Sequence, residues 1–447
     1  MNAISHGDRW VHLNTAGLGR MPAPARAVLL EWTRHEDRHG PHELEEHLHD
    51  EVRHELDDRL AALLGTPPGD TVLFTSAADA FATVLSRLPL GPRDRIWTTP
   101  YEGAANLTTL FALRDRARCG LDVVPLRPDG DLDLEWMAAH IDDDVALVSV
   151  AYVPAGCGIV NPVEEVGRIL APYRSLYAVD ASYAVGQLPV DAARIGCDLL
   201  TGDGWRFLRG PESVGFAYAA PKLRQALAPH RVAPLVAPHG AAVAALNTAL
   251  AHPAPAAAHR DLAPGLRAAV EEVPGTELIA PGRTQSGMLT FRHAGLPAAL
   301  IRRRLAERGV VVWKTVGQET PLFLPGRGVT TAVRACVHGD NAAQDVDRFA
   351  EALREVVHDA ARAAAVRHET AAAPAAHALS GVPAASRGGL RAVASVPGQA
   401  GPAPAPAPAR AGAGDAGAGG AGAGGAGAGG AGRRPAGRHH LTLVPAP

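Results

Sequence analysis

The chain has 447 residues, and its 43 basic and 46 acidic side chains leave a net charge of −3. This length has room for two or more domains, and the balanced charge offers no basic field that would favour nucleic acid as a partner. The N-terminus lacks the apolar stretch of a signal peptide, and no apolar run reaches the roughly 18 residues of a membrane span, so we expect a soluble, cytoplasmic protein without membrane contact. Its four cysteines form no CxxC pair, which favours a reducing compartment over a disulfide scaffold.

The first half of the chain alternates helical and strand patterns. Helices are predicted over residues 22–38 and 42–65, the second ending just before a Pro-Pro pair. Apolar strands follow at 72–75, 95–98, 121–125, 146–152 and 176–180. Strands that alternate with helices indicate βαβ units and a mainly parallel sheet sandwiched by helices. Such sheets bind ligands at the carboxyl ends of their strands, which is where Thr75, Ser76 and Asp180 fall.

A smaller α/β domain is predicted after the large one, because the order from about residue 253 is helix, strand, helix, strand, helix. We therefore expect an N-terminal segment at 1–20, a large domain at 21–252 and a small C-terminal domain at 253–365. The remaining tail, 366–447, is mostly Ala, Gly and Pro, with almost no large apolar side chain to bury. It cannot offset the entropy of ordering, so we predict that it is disordered.

Several segments, in the same order, resemble those of class V aminotransferase-fold proteins, which carry pyridoxal phosphate (PLP) on a fold-type-I scaffold. Residues 13–17 (LNTAG) resemble a segment beside the substrate, and 73–79 (LFTSAAD) resemble the turn that cradles the phosphate. The run 179–191 (VDASYAVGQLPVD) resembles the strand whose aspartate pairs with the pyridine nitrogen. The run 333–338 (VRACVH) resembles the strand whose arginine binds the substrate carboxylate. Within that family, the segments resemble most those of the isopenicillin N epimerase-like and the ergothioneine-pathway C–S lyase-like branches.

This resemblance implies a set of site residues and partners. The implied cofactor-binding residues are Thr75, Ser76, Asp180, Tyr183 and Arg206, and the implied substrate-binding residues are Asn14 and Arg334. The cofactor would be PLP and the substrate an amino-acid-like small molecule. The protein would be a homodimer, or a heterodimer with a paralogue.

Arg206 is the main departure from the family pattern. The family reads Arg-Lys-(Phe/Trp)-Leu-x-Gly-Pro, whereas this chain reads Trp-Arg-Phe-Leu-Arg-Gly-Pro over 205–211, so Arg206 takes the place of the Schiff-base lysine. A guanidinium stays protonated and is not a nucleophile. Of the only two lysines, Lys222 begins a predicted surface helix that leads away from the site, and Lys314 lies in the small domain, where the family's substrate loop often runs.

The sequence therefore predicts a degenerate class V-like protein without lysine-dependent PLP catalysis, which acts as a small-molecule-binding or partner subunit. The alternative is an aminotransferase, epimerase or C–S lyase that acts on an amino acid with PLP held non-covalently.

Three further departures concern the cofactor's surroundings. Gly103 stands where the family places an aromatic ring that stacks on the cofactor, and Asp79 and Asp203 stand where hydroxyl side chains approach the phosphate. A carboxylate about 4 Å from a phosphate charge costs roughly 4 kcal/mol per charge pair at an effective dielectric constant near 20. These two aspartates therefore predict weak PLP binding.

Two other patterns lead to no prediction of a site. His35 and His39 have the spacing of a metal-binding pair, but no third ligand cluster accompanies them, so we interpret them as part of a polar helix face and predict no metal. Residues 211–215 (PESVG) are one residue away from the Gly-x-Ser-x-Gly elbow of hydrolases and lack its first glycine.

Overall fold

A seven-stranded sheet, here called the large sheet, organises the chain, of which this computed structural model describes residues 10–47, 51–255 and 257–372. A short strand, β1 (Val11–His12), precedes it. The strands of the large sheet are β2 (Thr71–Phe74), β3 (Arg95–Thr98), β4 (Gly120–Val123), β5 (Val145–Ala151), β6 (Leu176–Asp180), β7 (Leu199–Asp203) and β8 (Gly215–Ala219). Their spatial order is β2-β8-β7-β6-β5-β3-β4, and β8 alone runs antiparallel to its neighbours. The predicted mainly parallel sheet is confirmed.

Helices cover both faces of the large sheet. They are α1 (Ala23–His39), α2 (Pro41–His47), α3 (Arg53–Leu64), α4 (Ala77–Leu85), α5 (Ala104–Ala117), α6 (Leu134–His140), α7 (Val163–Leu170), α8 (Ala192–Ile195), α9 (Pro221–Leu227) and α10 (Gly240–Ala251). Successive residues of a strand point to opposite faces. Leu147 of β5 accordingly packs in one buried cluster with Phe81 of α4, and Val148 in another with Val166 of α7. Burial on both faces explains why every residue of β5 is buried.

A second, four-stranded sheet follows. Its strands are β9 (Thr276–Leu278), β10 (Met288–His293), β12 (Trp313–Val316) and β13 (Thr331–Cys336), all antiparallel in the order β12-β13-β10-β9. Three helices accompany it: α11 (Ala257–Glu271), α12 (Ala298–Glu307) and α13 (Ala343–Ala372). A further short strand, β11 (Val310–Val311), pairs in parallel with β1, so that the N-terminal strand joins this part of the molecule. The predicted domain borders remain predictions.

The last helix extends past residue 366, where the tail is predicted to begin. Disorder is predicted from residue 366, whereas α13 continues to Ala372. Alanine has the highest helix propensity, and the Ala-rich stretch after residue 358 extends the helix. The rest of the predicted tail, 373–447, lies outside the described residues. Within the described ranges, no helix is both long enough and apolar enough to span a membrane.

Candidate functional site

The site lies at the edge of the large sheet where β2, β6 and β7 end. β2 and β7 both pair with the antiparallel β8, so their carboxyl ends meet at the same edge. Phe74 at the end of β2 and Asp203 at the end of β7 are both opposite Gly215, and Asp180 ends the neighbouring β6. Helix α4 begins directly after β2, which places its N-terminus beside Asp203. The predicted residues Thr75, Ser76 and Asp180 are thus brought to one edge.

The N-terminus of α4 is engaged by the protein's own side chains. Ser76 is its N-cap, and the Ser76 hydroxyl oxygen accepts a hydrogen bond from the Asp79 backbone N–H at 3.0 Å. The Asp79 carboxylate accepts from the Thr75 backbone N–H at 3.2 Å and from the Thr75 hydroxyl at 2.8 Å. The Ala77 backbone N–H donates to Asp203 Oδ1 at 2.9 Å. Helix N-termini favour anions, and here two protein carboxylates supply the negative charge.

Arg206 pairs with one of these carboxylates. Its Nε donates to Asp203 Oδ2 at 2.8 Å, and its Nη1 donates to the Ala16 carbonyl at 2.5 Å. The guanidinium carbon lies 4.2 Å from the centre of the Tyr183 ring, within the range of a cation–π contact. Burial lowers the pKa of Arg206, but Tyr183 and Asp203 more than offset it, so the pKa lies above its ordinary value. Arg206 is therefore a fixed cation.

Asp180 belongs to a buried polar network that the sequence did not reveal. Its Oδ1 accepts from the backbone N–H and the hydroxyl of Ser182 at 2.9 and 2.5 Å, and its Oδ2 accepts from Asn106 Nδ2 at 3.0 Å. The same Nδ2 donates to Glu102 Oε1 at 3.0 Å, and the Ser149 hydroxyl donates to Glu102 Oε2 at 2.7 Å. Burial, with a smaller contribution from Asp180, raises the pKa of Glu102 to about 7. The sequence signal that could have indicated this network is a Glu and an Asn four residues apart at the start of α5.

Arg334, the predicted carboxylate ligand, is also paired inside the protein. It is buried on β13, and its Nη1 donates at 3.0 Å both to Glu319 Oε2 and to the Ala155 carbonyl. Its guanidinium carbon is 5.6 Å from the centre of the Tyr183 ring, which Arg206 approaches as well. Tyr183 thus connects the two arginines.

Asn14 and Gly103 complete the predicted surroundings. The Asn14 carbonyl accepts from the backbone N–H groups of Gly17 and Leu18, which forms a turn over the site. Asn14 Oδ1 is buried and has no hydrogen-bond partner among the described residues. A Cβ at Gly17 would come within 2.6 Å of that oxygen, so a larger residue there would have to displace the Asn14 side chain. A Cβ at Gly103 would meet nothing within 4 Å, which leaves open space where the family has a stacking ring.

Both lysines lie away from Asp180 and Arg206. Lys222 donates to the carbonyl of Ser175 at 2.6 Å, immediately before β6 begins, so its amine is at the opposite edge of the large sheet. Lys314 pairs with Val333 across β12 and β13, and its side chain therefore lies on the sheet face opposite to that of Arg334.

The metal-ligand pattern on α1 does not extend to a cluster. The His35 and His39 rings lie 4.4 Å apart. Across the described ranges, no group of three or more His, Cys, Asp or Glu side chains could hold a metal ion.

Comparison with known proteins agrees with this fold. The family model for aminotransferase class-V matches residues 30–234. A probable hercynylcysteine sulfoxide lyase from Mycobacterium tuberculosis is 26% identical over 385 residues, which cover 78% of this chain and 93% of the relative. A probable cysteine desulfurase from Halobacterium salinarum is 29% identical over 225 residues, or 48% of this chain and 53% of the relative. The chain thus spans about half the length of that desulfurase.

Comparison with solved structures also agrees with this fold. The apo cysteine desulfurase from Thermococcus onnurineus NA1 has a TM-score of 0.70 at 18% identity, and the match covers 78% of this chain and 95% of that one. The cystine C–S lyase C-DES, in complex with its product cysteine persulfide, has a TM-score of 0.67 at 17% identity, covering 77% and 97%. The chain therefore has the class V aminotransferase fold, that of fold-type-I PLP enzymes.

Proposed function

We propose that this chain is a class V-fold protein that works without lysine-dependent PLP catalysis, as a partner subunit or a small-molecule-binding subunit. The observation that supports this most is the pair of Asp203 and Arg206 at the N-terminus of α4. Asp203 binds the Ala77 backbone N–H, and Arg206 binds Asp203. We assign Arg206 to the position at which related enzymes carry the Schiff-base lysine.

The residues present do not fit a PLP phosphate. A phosphate at the N-terminus of α4 would need donors such as the backbone N–H groups of Thr75 and Ala77. These donate instead to Asp79 and Asp203. Each carboxylate within about 4 Å would cost roughly 4 kcal/mol per charge pair at an effective dielectric constant near 20. The site repels the dianion that it would have to bind.

A partner role is supported by the exposed apolar side chains of the loop between α9 and α10. Leu235 is 80% exposed and Val236 is 67% exposed, and they are consecutive. Adjacent large apolar residues on a surface are typical of interaction sites. We propose a second copy of this chain or a paralogue as the partner.

The alternative function is that of an aminotransferase, epimerase or C–S lyase acting on an amino acid with PLP held non-covalently. The observation that favours it is Asp180, which Ser182 and Asn106 hold at the end of β6 as a hydrogen-bonded carboxylate. A carboxylate in that position would keep the pyridine nitrogen of PLP protonated and make its ring an electron sink. The open space at Gly103 leaves room for a ring.

A cofactor experiment separates the two functions. We expect purified protein incubated with PLP to show no visible absorbance from covalently linked PLP and no PLP adduct after borohydride reduction, because no suitable lysine amine lies at the site. Mass spectrometry of the reduced protein measures the adduct. A lysine adduct at Lys314 or Lys222 would contradict the proposal, and PLP-dependent turnover of an amino acid without an adduct would establish the alternative.

A ligand-binding experiment tests the proposal that this chain binds a small molecule. A ligand carboxylate that binds Arg334 has to displace Glu319, so Glu319→Gln should tighten the binding of amino acids by about tenfold and Arg334→Ala should abolish it. Calorimetry with amino acids and with thioether or sulfoxide analogues measures the affinity. Glu277→Gln, in the exposed pair with Arg292, is the matched control. Unchanged ligand affinity in both Glu319→Gln and Arg334→Ala would remove Arg334 from the site.

A further inference from the structure

We infer that Asp203 and Arg206 form an ion-pair lock that takes over the structural place of the cofactor's phosphate and ties the N-terminal segment to the large sheet. The inference goes beyond the proposed function, because it concerns how the fold is held together when no cofactor is bound. It also explains why restoring the lysine alone should not restore the PLP site.

The first step concerns the carboxylate. Asp203 is 4% exposed, and each of its oxygens has its own donor: the Ala77 backbone N–H at 2.9 Å for Oδ1 and Arg206 Nε at 2.8 Å for Oδ2. A buried carboxylate is tolerated only when it is paired and hydrogen-bonded. Asp203 thus satisfies the N-terminus of α4 in the way a bound anion would, and it does so from within the chain.

The second step concerns the cation. Arg206 connects Asp203 on β7 with the Ala16 carbonyl of the N-terminal segment and with the Tyr183 ring after β6. The planar guanidinium can make these three contacts together, since its donors point in fixed directions and its face stacks on a ring. A lysine ammonium in its place could keep one of them. The lock therefore depends on arginine and not on positive charge alone.

The third step concerns how tightly the N-terminal segment is held. The Gly19 backbone N–H donates to the Trp205 carbonyl at 2.8 Å. A Cβ at Gly19 would come within 2.1 Å of the Arg206 carbonyl oxygen, so the two backbones touch at this point. The side chains of the lock are 17% and 6% exposed, for Arg206 and Asp203. By contrast, the Arg194–Glu164 pair has exposed fractions of 66% and 37%. Solvent screens the attraction between Arg194 and Glu164, and such surface ion pairs contribute little to the stability of a fold.

The experiment uses the full chain and four variants: Arg206→Lys, Asp203→Ser, the double variant, and Arg194→Lys as control. Without PLP, we expect each single lock variant to lower the melting temperature by about 5–10 °C. Asp203→Ser leaves the Arg206 cation without its counter-charge, and Arg206→Lys keeps the charge but loses contacts that the guanidinium makes. We expect the double variant to lose less than the sum of the two, since the partners are coupled. The control should stay within about 1 °C.

A second readout tests the blocked phosphate site. At one fixed PLP concentration, borohydride labelling of the double variant should exceed that of Arg206→Lys by at least about tenfold, since only the double variant lacks the Asp203 charge. Equal labelling of the two, whether strong or absent, would overturn the inference. Lock variants with the same melting temperature as the Arg194→Lys control would also overturn the inference. Both results are independent of whether the unaltered protein binds PLP, which the cofactor experiment decides.

Discussion

Replacing Glu319 with alanine is expected to destabilise the fold by about 3–5 kcal/mol, because it leaves a buried cation without its counter-charge. Arg334 is 3% exposed and, apart from its contact with Glu319, has the Ala155 carbonyl as a partner. A neutral carbonyl does not compensate a full charge in a buried position. Denaturant unfolding, monitored by fluorescence, measures the loss.

The reverse substitution provides the control. Arg334→Ala removes the buried charge and leaves Glu319, whose side chain is 26% exposed and can be hydrated. We therefore expect Arg334→Ala to cost less than Glu319→Ala, although both remove the same pair. If Arg334→Ala costs as much or more, the burial of the arginine is not what sets the energy of this pair.

The second large effect is a pH dependence that originates in Glu102. Its pKa is raised from 4.5 to about 7 in the folded chain, and the first cause is burial. Between these values the folded state holds a proton that the unfolded state has released. The stability from this proton is fully present below the ordinary pKa and is lost as the pH rises through about 7, by about 3 kcal/mol in total.

Glu102→Gln isolates this contribution. A glutamine can present its carbonyl oxygen to Asn106 and its amide to the hydroxyl oxygen of Ser149, so the network keeps its hydrogen bonds without a titratable group. We expect the variant to match the unaltered protein near pH 4 and to be more stable by about 3 kcal/mol near pH 8. Subtracting the unfolding free energy of the unaltered protein from that of the variant at each pH cancels the contributions of other acids. A difference that is constant from pH 4 to pH 8 would contradict the assignment.

Much of the fold could be predicted from the sequence, because strands that are buried on both faces appear as short apolar runs. β3 and β6 have the predicted bounds, and β5 is displaced by one residue. The reversed direction of β8 could not be predicted, since Gly-Phe-Ala-Tyr-Ala has the composition of a buried strand in either direction. The direction of β8 is set by the connection from β7, in which Arg209 and Ser213 have positive φ. The extension of α13 was missed because its Ala-rich end was interpreted as the start of the tail.

The candidate site could be predicted only where the sequence resembles a known pattern. Asp180 and Arg206 were found in this way, and the structure brings both to one sheet edge. Glu319 was missed because it lies in a short 3-10 turn (Gly317–Glu319), and nothing in the residues around it indicates that it reaches Arg334 on β13. Hydrogen-bond partners far apart in the chain are decided by packing, which local sequence patterns do not encode.

The parallel pairing of β1 with β11 has a consequence for biosynthesis. Val11 is synthesised before the large sheet, whereas its partner Val310 follows only after the whole large sheet has been synthesised. Chains fold largely from the N-terminus during translation, and contacts between distant residues form late. β1 therefore remains without its partner strand until β11 has been synthesised, and its docking is among the late events of folding.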